Sequence, residues 1–139
     1  MRFQDFIENG KVRKGLLDIQ KAKAIIKMST NNIEVFKNIQ INEISAGPVM
    51  VNFYEALRKI IEAVCLKEGL KVYSHEAFTY FLKEKNEELI SLKFDKFRKI
   101  RNGINYYGEQ ISVEESIAAK EDILKIIEEL KNRYLKELV

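Results

Sequence analysis

At 139 residues and 16.3 kDa, with 46% hydrophobic and 32% charged residues, the chain suits one folded domain spanning 1–139, which excludes disorder and membrane embedding. A formal charge of +3 permits contact with nucleic acid without demanding it. A single cysteine excludes an intrachain disulfide and a single histidine excludes a multi-histidine metal centre, so neither metal nor cofactor is expected.

The N-terminal run Met1-Arg2-Phe3-Gln4-Asp5-Phe6 is charged and amphipathic, without the apolar region of a signal peptide. No later run approaches the roughly 18 apolar residues that a membrane span needs, so a cytoplasmic protein is expected. A short helix is predicted at residues 2–8, stopped by Asn9-Gly10. A second is predicted over Gly15–Ser29, with Leu16, Ile19, Ala22 and Ile26 on one face and Thr30-Asn31-Asn32 as its break. Residues 33–44 read as helical only in part.

Gly47-Pro48 opens the next helix, with the proline near the first helical position, where a missing N–H costs nothing. Met50, Phe53, Tyr54, Leu57, Ile60, Ile61 and Val64 recur at helical spacing and predict the most buried element. Cys65 lies among these apolar residues and reads as a small buried hydrophobe. Gly69 stops this helix, and Ser74 caps a short one carrying Ala77, Phe78, Phe81 and Leu82. A further helix runs from Leu89 to about Ile104. Ser112-Val113-Glu114-Glu115 matches a capping box and starts the last helix, through Ile123, Ile127, Leu130 and Tyr134. Two-residue alternation is absent throughout. The expected fold is all-α, a bundle of about five helices: an up-and-down four-helix core plus a short N-terminal helix.

The segment Arg101-Asn102-Gly103-Ile104-Asn105-Tyr106-Tyr107-Gly108 carries the functional signal. The stripe Ile90, Phe94, Phe97, Arg101, Ile104 keeps a 4-3-4-3 spacing, which places a guanidinium where another hydrophobe is due. Such a group is costly unless an anion meets it, which points to a phosphate or carboxylate site; the alternative is a packed stem whose head reaches solvent. Asn102 flanks the same site, and Asn105, one turn on, either holds the guanidinium or caps the helix. Lys93, Lys96, Arg98, Lys99 and Arg101 put five cations within nine residues, readable as a phosphate-backbone track or as a solvated face. Tyr106 and Tyr107, placed in the loop that follows, offer base-stacking faces or plain packing. His75 sits at a helix start, where exposed N–H groups disfavour the imidazolium, so it is either a neutral general base or a helix-start residue without function.

On its helix order and the Arg101-Asn102 pair, the chain resembles the HEPN superfamily of small all-helical proteins over most of its length. In that family an arginine, often with a polar neighbour, is followed a few residues on by histidine. Here Tyr106 occupies the position five after Arg101 where histidine is commonest, and Tyr107 and Gly108 fill the next two. The resemblance implies a homodimer with a shared cleft. It also implies either a metal-independent ribonuclease or the toxin partner of a small nucleotidyltransferase. In such proteins the arginine holds the scissile phosphate, and the Arg–His pair promotes attack by the RNA 2′-hydroxyl. A phenol in place of the imidazole removes the group that exchanges protons near neutrality.

The expected function is therefore an RNA- or nucleotide-binding, catalytically degenerate HEPN-like protein. Arg101, Asn102, Tyr106 and His75 are its candidate catalytic residues, and Lys93, Lys96, Lys99, Asn105 and Tyr107 its nucleic-acid contacts. His75 is the candidate replacement imidazole, and Tyr106 or Tyr107 a candidate nucleotidylation acceptor, as in some toxins of the family. The alternatives are an active ribonuclease toxin and an interaction module whose Arg101 grips a partner's carboxylate.

Overall fold

The computed structural model describes all 139 residues. In chain order the elements are α1 (Phe3–Glu8), β1 (Val12–Lys14), α2 (Ile19–Phe36), α3 (Ala46–Lys67), β2 (Leu70–Val72), α4 (His75–Glu84), α5 (Glu88–Tyr107) and α6 (Val113–Tyr134). The protein is an all-α bundle of six helices with one two-stranded sheet. No helix is long and apolar enough to cross a membrane.

α3 is the hub, because apolar residues fall on nearly every side of it: Val49, Met50, Phe53, Tyr54, Leu57, Ile60, Ile61 and Val64 are all buried. α2, α6, α5, α4 and β2 all pack against it. Each fully buried Leu57, Ile60 or Ile61 side chain contributes about 1.5–3 kcal/mol through removal from water. Ser29 of α2 and Ser116 of α6 are buried against the hub, and their hydroxyls donate to Ala56 O and Ala46 O, both at 2.8 Å. Cys65 is buried in the same core, where desolvation pushes its thiol well above the ordinary value, as suits an inert packing residue.

Several predicted boundaries move. α2 begins at Ile19 and runs through Thr30-Asn31-Asn32 to Phe36. Ser29, Ile33 and Phe36 continue its packed face, and Thr30 Oγ1 donates back to Ile26 O at 3.1 Å, so weak propensity loses to tertiary packing. Leu16 is 93% exposed instead of lying on the helix's inner face. Residues 12–18 cannot be helical because their backbone is committed elsewhere. β1 pairs antiparallel with β2, Gly15 N donates to Gly69 O (2.7 Å), and Asp18 N donates to Leu66 O (3.1 Å). Asp18 then caps α2, its carboxylate accepting from Lys21 N at 3.0 Å.

Strands as short as Val12–Lys14 and Leu70–Val72 leave no alternation to read, and their pairing joins segments far apart in the chain. Pro48 is the third residue of α3, still within the first turn whose N–H groups lack helix partners. The capping box at α6 forms by half. Ser112 Oγ accepts from Glu115 N (3.0 Å), but the Glu115 carboxylate takes the Ser112 hydroxyl (3.2 Å) in place of its backbone N–H. α5 continues through Tyr107 and ends on Gly108 in the left-handed region (φ 64°), so Asn105, Tyr106 and Tyr107 form its last turn and not a loop.

Candidate functional site

Arg101 sits where the stripe of α5 meets α3, and its side chain is only 17% exposed. Its own chain supplies the anion: Glu55 Oε1 of α3 lies 3.5 Å from Nη2. Nη1 donates to Tyr106 Oη (3.1 Å) and Asn102 Oδ1 (3.3 Å), and the guanidinium lies over the Tyr106 and Tyr54 rings at 5.4 and 5.9 Å. Tyr106 reaches back five residues because the helix extends past Ile104; in a loop it would have had no defined position. Arg101 Nε and Glu55 Oε1 are both buried without a hydrogen-bond partner.

Glu55 is shared. Its other oxygen, Oε2, accepts from Arg58 Nε (3.1 Å), while Arg58 Nη1 donates to Glu62 (3.0 Å). One carboxylate thus stands between two guanidinium groups. Arg98 and Lys99 share the single carboxylate of Asp95, which accepts from Arg98 Nη2 at 2.9 Å and lies 3.0 Å from Lys99 Nζ. Burial works to raise the Asp95 carboxyl, yet hydrogen bonds from Lys99 and Arg98 outweigh it and hold it below its ordinary value. Arg101, at longer range from a carboxylate already engaged, keeps charge to offer an incoming anion.

His75 opens α4 beside this cluster. Its Nδ1 lies 3.0 Å from Tyr54 Oη. Burial and then Glu55 push the Tyr54 phenol far above its ordinary value, so it stays protonated. The phenol has no other acceptor, so we assign it as the donor to Nδ1, which leaves the ring proton on Nε2. Burial, followed by the nearby Arg58, lowers His75 from 6.5 to about 4. It is neutral at pH 7 and too weak a base to exchange protons efficiently there.

Ser74, His75, Glu76, Arg98, Arg101, Asn102 and Tyr106 line one open depression of about 300 Å³. The four candidate catalytic residues therefore come together from α4 and α5. The predicted nucleic-acid contacts do not line it. Lys93 faces α6 and pairs with Asp122 (3.4 Å), Lys99 is held by Asp95, and Lys96 is exposed with no ion pair. Asn105 is exposed and neither holds the guanidinium nor caps the helix; Asn102 and Tyr106 do the first and Gly108 the second. Tyr107 is 78% exposed.

Sequence reasoning missed Glu55, Arg58 and Tyr54. The signal was there: Glu55, Arg58 and Glu62 fall at i, i+3 and i+7 among the apolar residues of α3, which marks a charged ridge on the most buried element. No group of three or more potential metal ligands comes together anywhere in the chain. No protein-family model, curated protein or solved structure matches the sequence.

Proposed function

We propose that this protein is a cytoplasmic, HEPN-like domain that binds the phosphate of RNA or a nucleotide in the depression between α4 and α5, and that it is catalytically degenerate. The observation that carries this reading is Arg101 itself: a part-buried guanidinium whose buried Nε has no acceptor, beside a carboxylate already taken by Arg58. A planar fork of this kind binds phosphate in two-point fashion, which a lysine cannot reproduce. Asn102 and Tyr106 orient it, and Tyr106, 67% exposed, presents a ring face for a base. The homodimer implied by the family resemblance would close the open side of the depression with a second copy.

Degeneracy follows from the two residues available for proton transfer. Tyr106 stands where the imidazole is expected, and His75, though present in the depression, is tied to Tyr54 and weakly basic. Its presence favours one second reading, an active metal-independent ribonuclease, free or paired with a small nucleotidyltransferase; His75→Ala would abolish cleavage in that case. In the interaction-module reading, Arg101 grips a partner's carboxylate, a role that Glu55 of the same chain already occupies in part.

Incubation of the purified protein with labelled single-stranded RNA in EDTA separates these. Retention without cleavage is the expected result. Cyclic-phosphate ends would establish the ribonuclease, and neither retention nor cleavage would leave the interaction module. Arg101→Lys should weaken retention about tenfold or more, against less than about twofold for Lys96→Ala. Equal losses would overturn the assignment of the cleft.

A further inference from the structure

Lys96 on α5 is unpaired, but a larger group of unpaired basic residues lies elsewhere, within residues 11–27 and at Lys71. Lys11, Arg13, Lys14, Lys21, Lys23, Lys27 and Lys71 are exposed, and none forms a salt bridge. Within residues 11–27 and at Lys71 the chain carries these seven cations and one acid, Asp18; of its 24 cations and 21 acids, the remainder gives 17 against 20. Four of these cations, Lys11, Arg13, Lys14 and Lys71, lie on or next to the small sheet, and Lys21, Lys23 and Lys27 follow on α2; the rest of the chain is net acidic.

The register of the sheet sets Arg13 directly opposite Lys71, a like-charge pair that destabilises two isolated strands. Arg13 also lies over the Tyr73 ring at 5.6 Å. Arg13, Lys14, Leu16, Leu17, Lys71 and Tyr73 surround a concave depression of about 540 Å³. Asp18, the one acid there, has its carboxylate turned to the N-terminus of α2.

We propose that this sheet surface binds the backbone of single-stranded nucleic acid and delivers it to the α4–α5 depression. The choice of nucleic acid over another polyanion rests on the reading of that depression given above. Two features favour it. A concave surface with a stacked Arg13–Tyr73 pair offers phosphate contacts and a base platform together, whereas a lipid surface would need a flat or convex apolar face. In addition, Tyr73 is followed directly by Ser74 and His75, which line the cleft, so consecutive residues of one segment serve the two depressions. A phosphate bridging Arg13 and Lys71 would turn their repulsion into attraction. The backbone track then runs over the sheet, and not along Lys93, Lys96 and Lys99.

The test is fluorescence anisotropy with a labelled oligouridylate of about fifteen nucleotides, a length within the range of single-stranded sites. The full chain is compared with an Arg13→Gln, Lys14→Gln, Lys71→Gln variant and, separately, with Arg101→Lys. The triple variant should bind at least about tenfold more weakly. Its plot of log affinity against log salt should be shallower by about 2, from about 0.7 for each phosphate that is no longer neutralised. Ultraviolet cross-linking of thiouridine-substituted RNA to the unaltered protein should label the peptide holding Tyr73, a readout independent of variant folding. Unchanged affinity and slope in the triple variant, or cross-links confined to other segments, would overturn the proposal. Binding of the unaltered protein to phosphatidylserine vesicles or polyglutamate, with no binding to RNA, would also overturn it. Weaker binding by the triple variant, with unchanged binding by Arg101→Lys, would support the sheet surface while rejecting the cleft.

Discussion

Replacing Glu55 with glutamine should move stability and phosphate affinity in opposite directions. Glu55 Oε2 accepts a hydrogen bond from Arg58 Nε at 3.1 Å and lies 3.1 Å from Arg58 Nη2, while Oε1 lies 3.5 Å from Arg101 Nη2. The neutral amide keeps the shape but loses the charge between two part-buried guanidinium groups. The weakened charge-assisted bonds should cost about 1–2 kcal/mol, a fall in Tm of about 3–6 °C for a chain of this size. A phosphate seated on the outer edge of Arg101 would lie about 3 Å beyond it, hence about 7 Å from the Glu55 carboxylate. At an effective dielectric constant of about 20 that repulsion is about 2.4 kcal/mol. Salt and the open rim of the depression reduce it to about 1 kcal/mol, so removing it should tighten RNA binding about fivefold. Thermal unfolding by circular dichroism and anisotropy titration at low salt measure the two effects in the same protein. An affinity that stays level, or that falls together with Tm, would refute the idea that Arg101 presents its charge to a ligand.

Acidification should destabilise the fold through His75. Its folded value of about 4 lies below the unfolded 6.5, so the unfolded chain binds more protons between those limits. The stability is fully present above about 6.5 and is lost as pH falls toward about 4; with solvent screening of this half-exposed ring the loss is about 1–2 kcal/mol. Tm measured from pH 7 down to about 4.5 should fall less steeply in His75→Gln, and parallel curves would contradict this assignment; Asp95, held below 3.8, contributes its loss only at lower pH. Ser29→Ala should cost about 1 kcal/mol, about 3 °C in Tm, through loss of the buried bond to Ala56 O, with RNA binding unaltered. Gly69→Ala should destabilise well beyond Gly108→Ala. Both residues have positive φ, but an added Cβ at Gly69 also meets Gly15 O at 2.5 Å and would separate the strands, whereas at Gly108 it meets nothing; similar Tm losses would argue against that strand contact.

Much of the helical skeleton was legible because its signals are local. The stripe on α5, the dense apolar run of α3 and the serine cap of α6 each declare themselves within a few turns, and Arg101 stood out as a cation on an apolar seam. Boundaries failed where a distant partner decided the backbone. Leu16 matched the inner face of a helix, but Gly15 and Asp18 were already bonded to Gly69 and Leu66, so the helix began later. Thr30-Asn31-Asn32 looked like a break, but the packed face through Ser29, Ile33 and Phe36 carried the helix across it. The site divided in the same way. Arg101, Asn102 and Tyr106 share one helix and were found together, whereas Glu55 and Tyr54 reach them only through the packing of α3 against α5.

The amino-acid order alone determined the all-α class, the buried hub and the misplaced arginine, since helical periodicity and the cost of burying charge act over one or two turns. Tertiary structure alone decided what that arginine faces, that His75 joins it, and that Arg13, Lys14 and Lys71 come together on a sheet no pattern announced. Those outcomes depend on contacts between segments far apart in the chain, and such contacts are set by how whole faces pack and not by any local spacing.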